Sequence, residues 1–106
     1  MKNKILNEVN RVYKKEHPSF YTKVTKKNLS KLIIAREKLL LSLKLPKKIF
    51  QNSSLLDLGS GSGIYSLIYN HFGAKTDLVE YEKSFTNQSK NLFKKFSKNH
   101  NYKIIN

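Results

Sequence analysis

Residues Leu55 to Ser66 read LLDLGSGSGIYS, and their types and spacing could hold a charged organic ligand. An apolar run carries the acid Asp57. Gly59, Gly61 and Gly63 follow at alternate positions, and a helical apolar pattern starts at once with Ile64, Leu67 and Ile68. A strand, a tight Gly-rich turn and a helix start in a dozen residues bring an α/β backbone against a nucleotide-like cofactor. Gly59 and Gly61 permit backbone turns that a Cβ would block. Gly63 allows the following helix to pack closely, and the free N–H groups at that helix start favour an anion. A second acid, Glu80, comes 17 residues after Gly63, at the end of another apolar run. Its two oxygens offer acceptors to both hydroxyls of a vicinal diol. Glu82 is the rival acid, but two residues further on it lies beyond the strand end.

A dinucleotide fold requires G-x-G-x-x-G after an apolar strand. Here the third glycine comes one residue early, position 64 is Ile, and Asp57 stands where such a strand normally carries an apolar residue. The pattern Asp-x-Gly-x-Gly-x-Gly, written DLGSGSG, resembles motif I of the Rossmann-like S-adenosylmethionine-dependent methyltransferases across Leu55 to Gly63. The run G-A-K-T-D-L-V before Glu80 looks like the same family's helix-end glycine and second strand. The resemblance implies S-adenosylmethionine as cofactor, cradled along Gly59, Ser60, Gly61 and Gly63 with its sugar and methionine part against the main chain. It makes Asp57 a direct or water-mediated contact to the methionine amine, Glu80 the ribose acceptor, and Tyr81 a neighbour of the adenine. Each residue has a plainer alternative: a structural turn, a helix-capping Asp57, a surface Glu80 and a solvated Tyr81.

The surrounding elements must position these residues. Ile5, Val9, Val12 and Tyr13 share one face of a predicted helix over 2–16, ended by His17-Pro18-Ser19. Residues 20–27 read as irregular. A second helix is predicted from an N-cap at Asn28 to about Leu43, with Leu29, Leu32, Ile33, Leu40 and Leu43 in one stripe and Pro46 stopping it. Residues 47–53 read as a polar connection. A short buried strand at 54–58, a helix over 62–72 closed by Gly73, and a strand at 76–80 follow. A helix over 84–97, capped by Ser84, places Phe85, Leu92, Phe93 and Phe96 inward, and a strand is predicted at 102–105. The order β-α-β-α-β implies right-handed crossovers and a parallel sheet.

The expected fold is α/β. N-terminal helices in residues 1–50 precede, in residues 51–106, the first β-α-β-α-β half of a doubly wound parallel-sheet methyltransferase fold. The resemblance covers about residues 54–105. The family's fourth strand, near which its transferred methyl lies, has no counterpart, so the chain reads as the N-terminal part of a longer protein. Alone, it would leave strand 54–58 as a bare apolar edge. The catalytic residues are unknown and expected beyond residue 106.

Twenty-one basic residues against seven acids give a net charge of +14 in a chain of 106. Nineteen of the bases are Lys, and Asn occurs eleven times, a pattern that AT-rich codons produce without a polyanion partner. Arg, the usual reader of bases and phosphates, stands only at Arg11 and Arg36. Nucleic acid is therefore a possible but not the favoured partner. Four of the seven acids lie between Asp57 and Glu82, around the turn. There is no Cys, hence no disulfide, thiolate metal site or Cys nucleophile. His17, His71 and His100 read as solvent-facing, with no metal spacing. No run reaches the roughly 20 apolar residues of a membrane span, and the N-terminus lacks a signal-peptide core, so no membrane association and a cytoplasmic location are expected.

The reading that follows is a methyltransferase of unknown acceptor and oligomeric state, this chain carrying its cofactor-binding half. Tyr13, His17 and Tyr21 could face its acceptor pocket, although packing or solvent suits them equally. The alternatives are a non-catalytic or partner-dependent binding module and an RNA-modifying methyltransferase. A dinucleotide oxidoreductase ranks below these on the glycine spacing.

Overall fold

Alternation and helical periodicity produce three short strands and four helices in the computed structural model, which describes residues 2–16 and 24–106. In chain order these are α1 (Lys2–Glu16), α2 (Lys26–Ser42), a 3-10 turn (Lys47–Phe50), β1 (Ser54–Leu58), α3 (Ile64–His71), β2 (Lys75–Val79), α4 (Lys83–Phe96) and β3 (Tyr102–Ile105). The fold is α/β, with a parallel sheet ordered β1-β2-β3. The expected stop at His17-Pro18-Ser19, the irregular 20–23, and the side chain of Tyr13 lie outside the described residues.

The register places Leu55, Thr76 and Tyr102 side by side, with Asp57, Leu78 and Ile104 in the next row. This face meets the helices. Thr76 and Leu78 are fully buried, and the core continues through Ile64, Leu67 and Ile68 of α3, Leu92 and Phe93 of α4, and Leu29, Leu32 and Leu40 of α2. Each such large apolar side chain contributes about 1.5–3 kcal/mol by leaving water. Phe85 and Phe96, expected inward with Phe93, are half-buried at the margins.

The opposite face carries Leu56 and Asp77 beside Lys103, and Leu58 and Val79 beside Ile105. Leu56 is 63% exposed and Leu58 71%. β1 is therefore not the buried strand its apolar run predicts but the bare apolar edge expected of this chain alone, and its outer face has no helix over it among the described residues. A doubly wound sheet has helices on both faces; among the described residues only one face is covered.

Several ends differ from the sequence reading. α2 starts at Lys26, because Thr25 is the N-cap: the Asn28 N–H donates to Thr25 Oγ1 (3.2 Å) and the Thr25 N–H to Asn28 Oδ1 (2.8 Å). Asn28 is thus the third helical residue of a reciprocal cap rather than the cap itself. Leu43, expected in the buried stripe, lies past the helix end and is exposed. Glu82, not Ser84, precedes α4, and it makes no side-chain cap. Gly73 does close α3: its φ is 100°, its N–H donates to Asn70 O (3.0 Å) and that of Ala74 to Tyr69 O (3.1 Å), the paired bonds of a Schellman ending. The polar connection contains Phe50, whose ring lies 4.8 Å from Tyr69 and 5.9 Å from Phe72, tying the 3-10 turn to the end of α3.

Candidate functional site

The parallel pairing brings the carboxyl ends of β1 and β2 together, and the glycine turn leaves from there. The N–H groups of Gly59 and Ser60 both donate to Val79 O, at 2.8 and 3.1 Å, so the turn begins anchored to β2. The Gly63 N–H donates back to Ser60 O (3.1 Å). Gly59, Gly61 and Gly63 all have left-handed φ values of 69°, 59° and 82°, a region that costs other residues about 1–2 kcal/mol.

The three glycines differ in surroundings. A Cβ on Gly63 would stand 2.7 Å from Ser89 Oγ and 2.9 Å from Leu78 Cδ2, so this position is fixed by packing against α4 and β2. A Cβ on Gly59 or Gly61 would meet nothing within 4 Å. The backbone there faces open space.

Glu80 lies one residue past β2, where its N–H still donates to Ile105 O (3.0 Å). Its carboxylate joins two segments: Oε1 accepts from the Gly61 N–H (2.8 Å) and Oε2 from the Glu82 N–H (2.7 Å). The Glu82 and Gly61 amides hold its carboxyl below the ordinary carboxylate range, against a smaller opposing cost of desolvation. Each oxygen keeps a second lone-pair direction for an outside donor. Glu82 contributes its backbone N–H and precedes α4.

Asp57 acts locally. Its Oδ2 accepts from Ser66 Oγ (2.7 Å), a buried hydroxyl in the first turn of α3. It therefore secures the helix start through a side chain, and not through the backbone N–H groups that a helix cap would take. Ser60 Oγ is buried and has no hydrogen-bond partner among the described residues. Such an orphaned hydroxyl costs free energy unless another group meets it. Tyr81 is 91% exposed at the rim.

The structure thus brings Gly59, Ser60, Gly61, Gly63 and Glu80 into one turn, with Asp57 beneath it and Tyr81 beside it. Three supporting residues escape sequence reasoning. Ser89 of α4 directs its Oγ at Gly61 O (3.2 Å) while also meeting Phe85 O (3.0 Å). Ser66 holds Asp57, and the Asn106 amide donates to the carbonyls of Glu80 (3.0 Å) and Tyr81 (3.1 Å). These partners are 28, 9 and 26 positions from the residues they support, and no local pattern marks them.

The open cradle at Gly59 and Gly61, the orphaned Ser60 hydroxyl and the ionised Glu80 carboxylate supply space, a polar contact and diol acceptors. His71 is not solvent-facing as expected: it lies half-buried at the far end of α3, with Nε2 donating to Phe96 O (2.7 Å). No helix among the described residues is long and apolar enough to cross a membrane. No protein-family model, curated protein or solved structure matches this chain.

Proposed function

We propose that this chain carries the S-adenosylmethionine-binding half of a methyltransferase, built as the first part of a Rossmann-like domain. The observation that carries the reading is the pairing of an open left-handed glycine cradle with an acid at the end of the neighbouring strand, joined by the hydrogen bond from Gly61 to Glu80.

Gly59, Ser60 and Gly61 would receive the sugar and methionine part, where no Cβ intervenes. Glu80 would accept from the ribose hydroxyls. Its carboxylate is already oriented by two amides, so little side-chain freedom remains to be lost on binding. Asp57 would stand on the amine side, Tyr81 beside the adenine, and the start of α3 would favour the methionine carboxylate. The bound cofactor supplies an activated sulfonium methyl group. The protein's task is then to align an acceptor with it and take a proton where the acceptor has one to lose. No described residue is assigned to the acceptor.

Isothermal titration of the 106-residue chain with S-adenosylmethionine tests the reading. Glu80→Ala is expected to weaken binding about tenfold or more, the loss of roughly one charge-assisted hydrogen bond. Glu80→Gln, which keeps one acceptor oxygen, is expected between the two. Because Glu80 also ties Gly61 to Glu82, each variant's thermal unfolding is recorded alongside. Unchanged affinity in a folded Glu80→Ala protein sinks the assignment.

A further inference from the structure

The geometry points to a second binding surface at the opposite end of α3: a lysine-walled groove that takes the phosphodiester backbone of a single-stranded nucleic acid. The inference does not rest on the cofactor reading, since it uses none of the same residues.

Two adjoining grooves, of about 290 and 440 Å³, share His71 as a common wall. Lys47 and Lys98 flank the first, Lys26 and Lys95 the second, and no acid among the described residues lines either. The four lysines come from separate places: the start of α2, the 3-10 turn, the end of α4 and the loop after it. Their convergence is made by the fold. Lys47 reaches Glu37 at 3.5 Å, which leaves Lys26, Lys95 and Lys98 as the principal charges.

Folding alone does not account for this set. Lysines near the C-terminal ends of α3 and α4 oppose the negative helix ends there, which suits Lys95 and Lys98. Lys26 and Lys27, however, fill the first turn of α2, the positive end of that helix, and that turn contains no acid. Cations there are unfavourable, and an anionic ligand reverses the sign of that cost.

The platform is also held in place. The fully buried Asn70 on α3 accepts from the Lys98 N–H (2.9 Å) and donates to Asn99 Oδ1 (3.1 Å), and Asn99 Nδ2 donates to Asn70 O (3.1 Å). This network fixes the backbone that carries Lys98. The charges are divided between two grooves that share one wall, which offers successive phosphates more than one position and fits a polyanion better than a lone anion. The apolar residues of the grooves, Leu29, Ile33, Phe72 and Phe96, are buried or half-buried, so no fully exposed apolar side chain projects from the lining as a membrane anchor would. Lysine contacts to phosphate position a strand without reading its sequence.

Fluorescence anisotropy with a labelled 20-nucleotide single-stranded RNA, and DNA of the same sequence, tests this between 50 and 200 mM salt. The triple variant Lys26→Glu, Lys95→Glu, Lys98→Glu is expected to weaken binding about tenfold or more, and to flatten the log–log salt dependence by about 2. A control with the same charge change elsewhere, Lys83→Glu, Lys90→Glu, Lys103→Glu, is expected to change affinity about threefold at most. Circular dichroism establishes that both variants fold. Preference for RNA would assign the groove to RNA; equal binding would assign it to single strands in general. Equal losses in the two triple variants, tighter binding of a duplex, or no binding at 50 mM salt would each overturn the proposal.

Discussion

α3 is eight residues and about 12 Å long, yet its two ends are built on opposite principles. At the start of the helix, backbone does most of the work: three left-handed glycines, an open main chain, and an acid whose oxygens are held by amides. At the far end, side chains do it: lysines drawn from four segments surround one histidine, and one of them, Lys98, stands on a loop fixed by paired asparagines. The first arrangement suits a small ligand with a diol and charged groups. The second suits an extended polyanion, whose affinity comes from summed charge and falls with salt. One chain can therefore be strongly basic overall and still gather its acids around a single turn.

Substitutions at the glycines sharpen this comparison most. Gly63→Ala combines a left-handed φ with a Cβ 2.7 Å from Ser89 Oγ and 2.9 Å from Leu78 Cδ2. The expected loss of stability is about 2–4 kcal/mol, read as a lower denaturant midpoint. A loss below about 1 kcal/mol would mean that the turn can shift away from α4. Gly61→Ala carries the same backbone strain without the clash, so its expected cost is roughly 1–2 kcal/mol. Its larger effect should be on ligand binding: a methyl group in the cradle is expected to weaken S-adenosylmethionine binding about tenfold while leaving nucleic-acid binding unchanged. Equal loss of both ligands would mean that the two ends of α3 are not independent.

The same contrast explains what could be read in advance. The glycine turn was legible because its residues are contiguous and each has a steric reason to be there. The order of helices and strands is legible from periodicity, with ends displaced by one to three residues. Thr25 rather than Asn28 caps α2 because the two form one reciprocal motif with Thr25 as its first member, and Asn taken alone is an equally good cap. For β1 the expectation of a bare apolar edge holds, whereas that of a buried strand does not. An apolar run signals affinity for a covered position, but sheet order decides whether cover is supplied, and here Leu56 and Leu58 face outward at the edge. The far end of α3 was not legible at all. Lys26, Lys95 and Lys98 cannot be told from the other lysines until α2 and α4 are packed against α3, and Ser89 meets Gly61 only through the same packing.

The most direct test of the central claim is an amide-resolved NMR titration of the 106-residue chain with S-adenosylmethionine. The account expects shifts confined to Gly59, Ser60, Gly61 and the segment Glu80–Glu82, with Lys98 and Asn99 at the far end unmoved. A spectrum unchanged at millimolar cofactor, or shifts appearing only around His71 and Lys98, would contradict it.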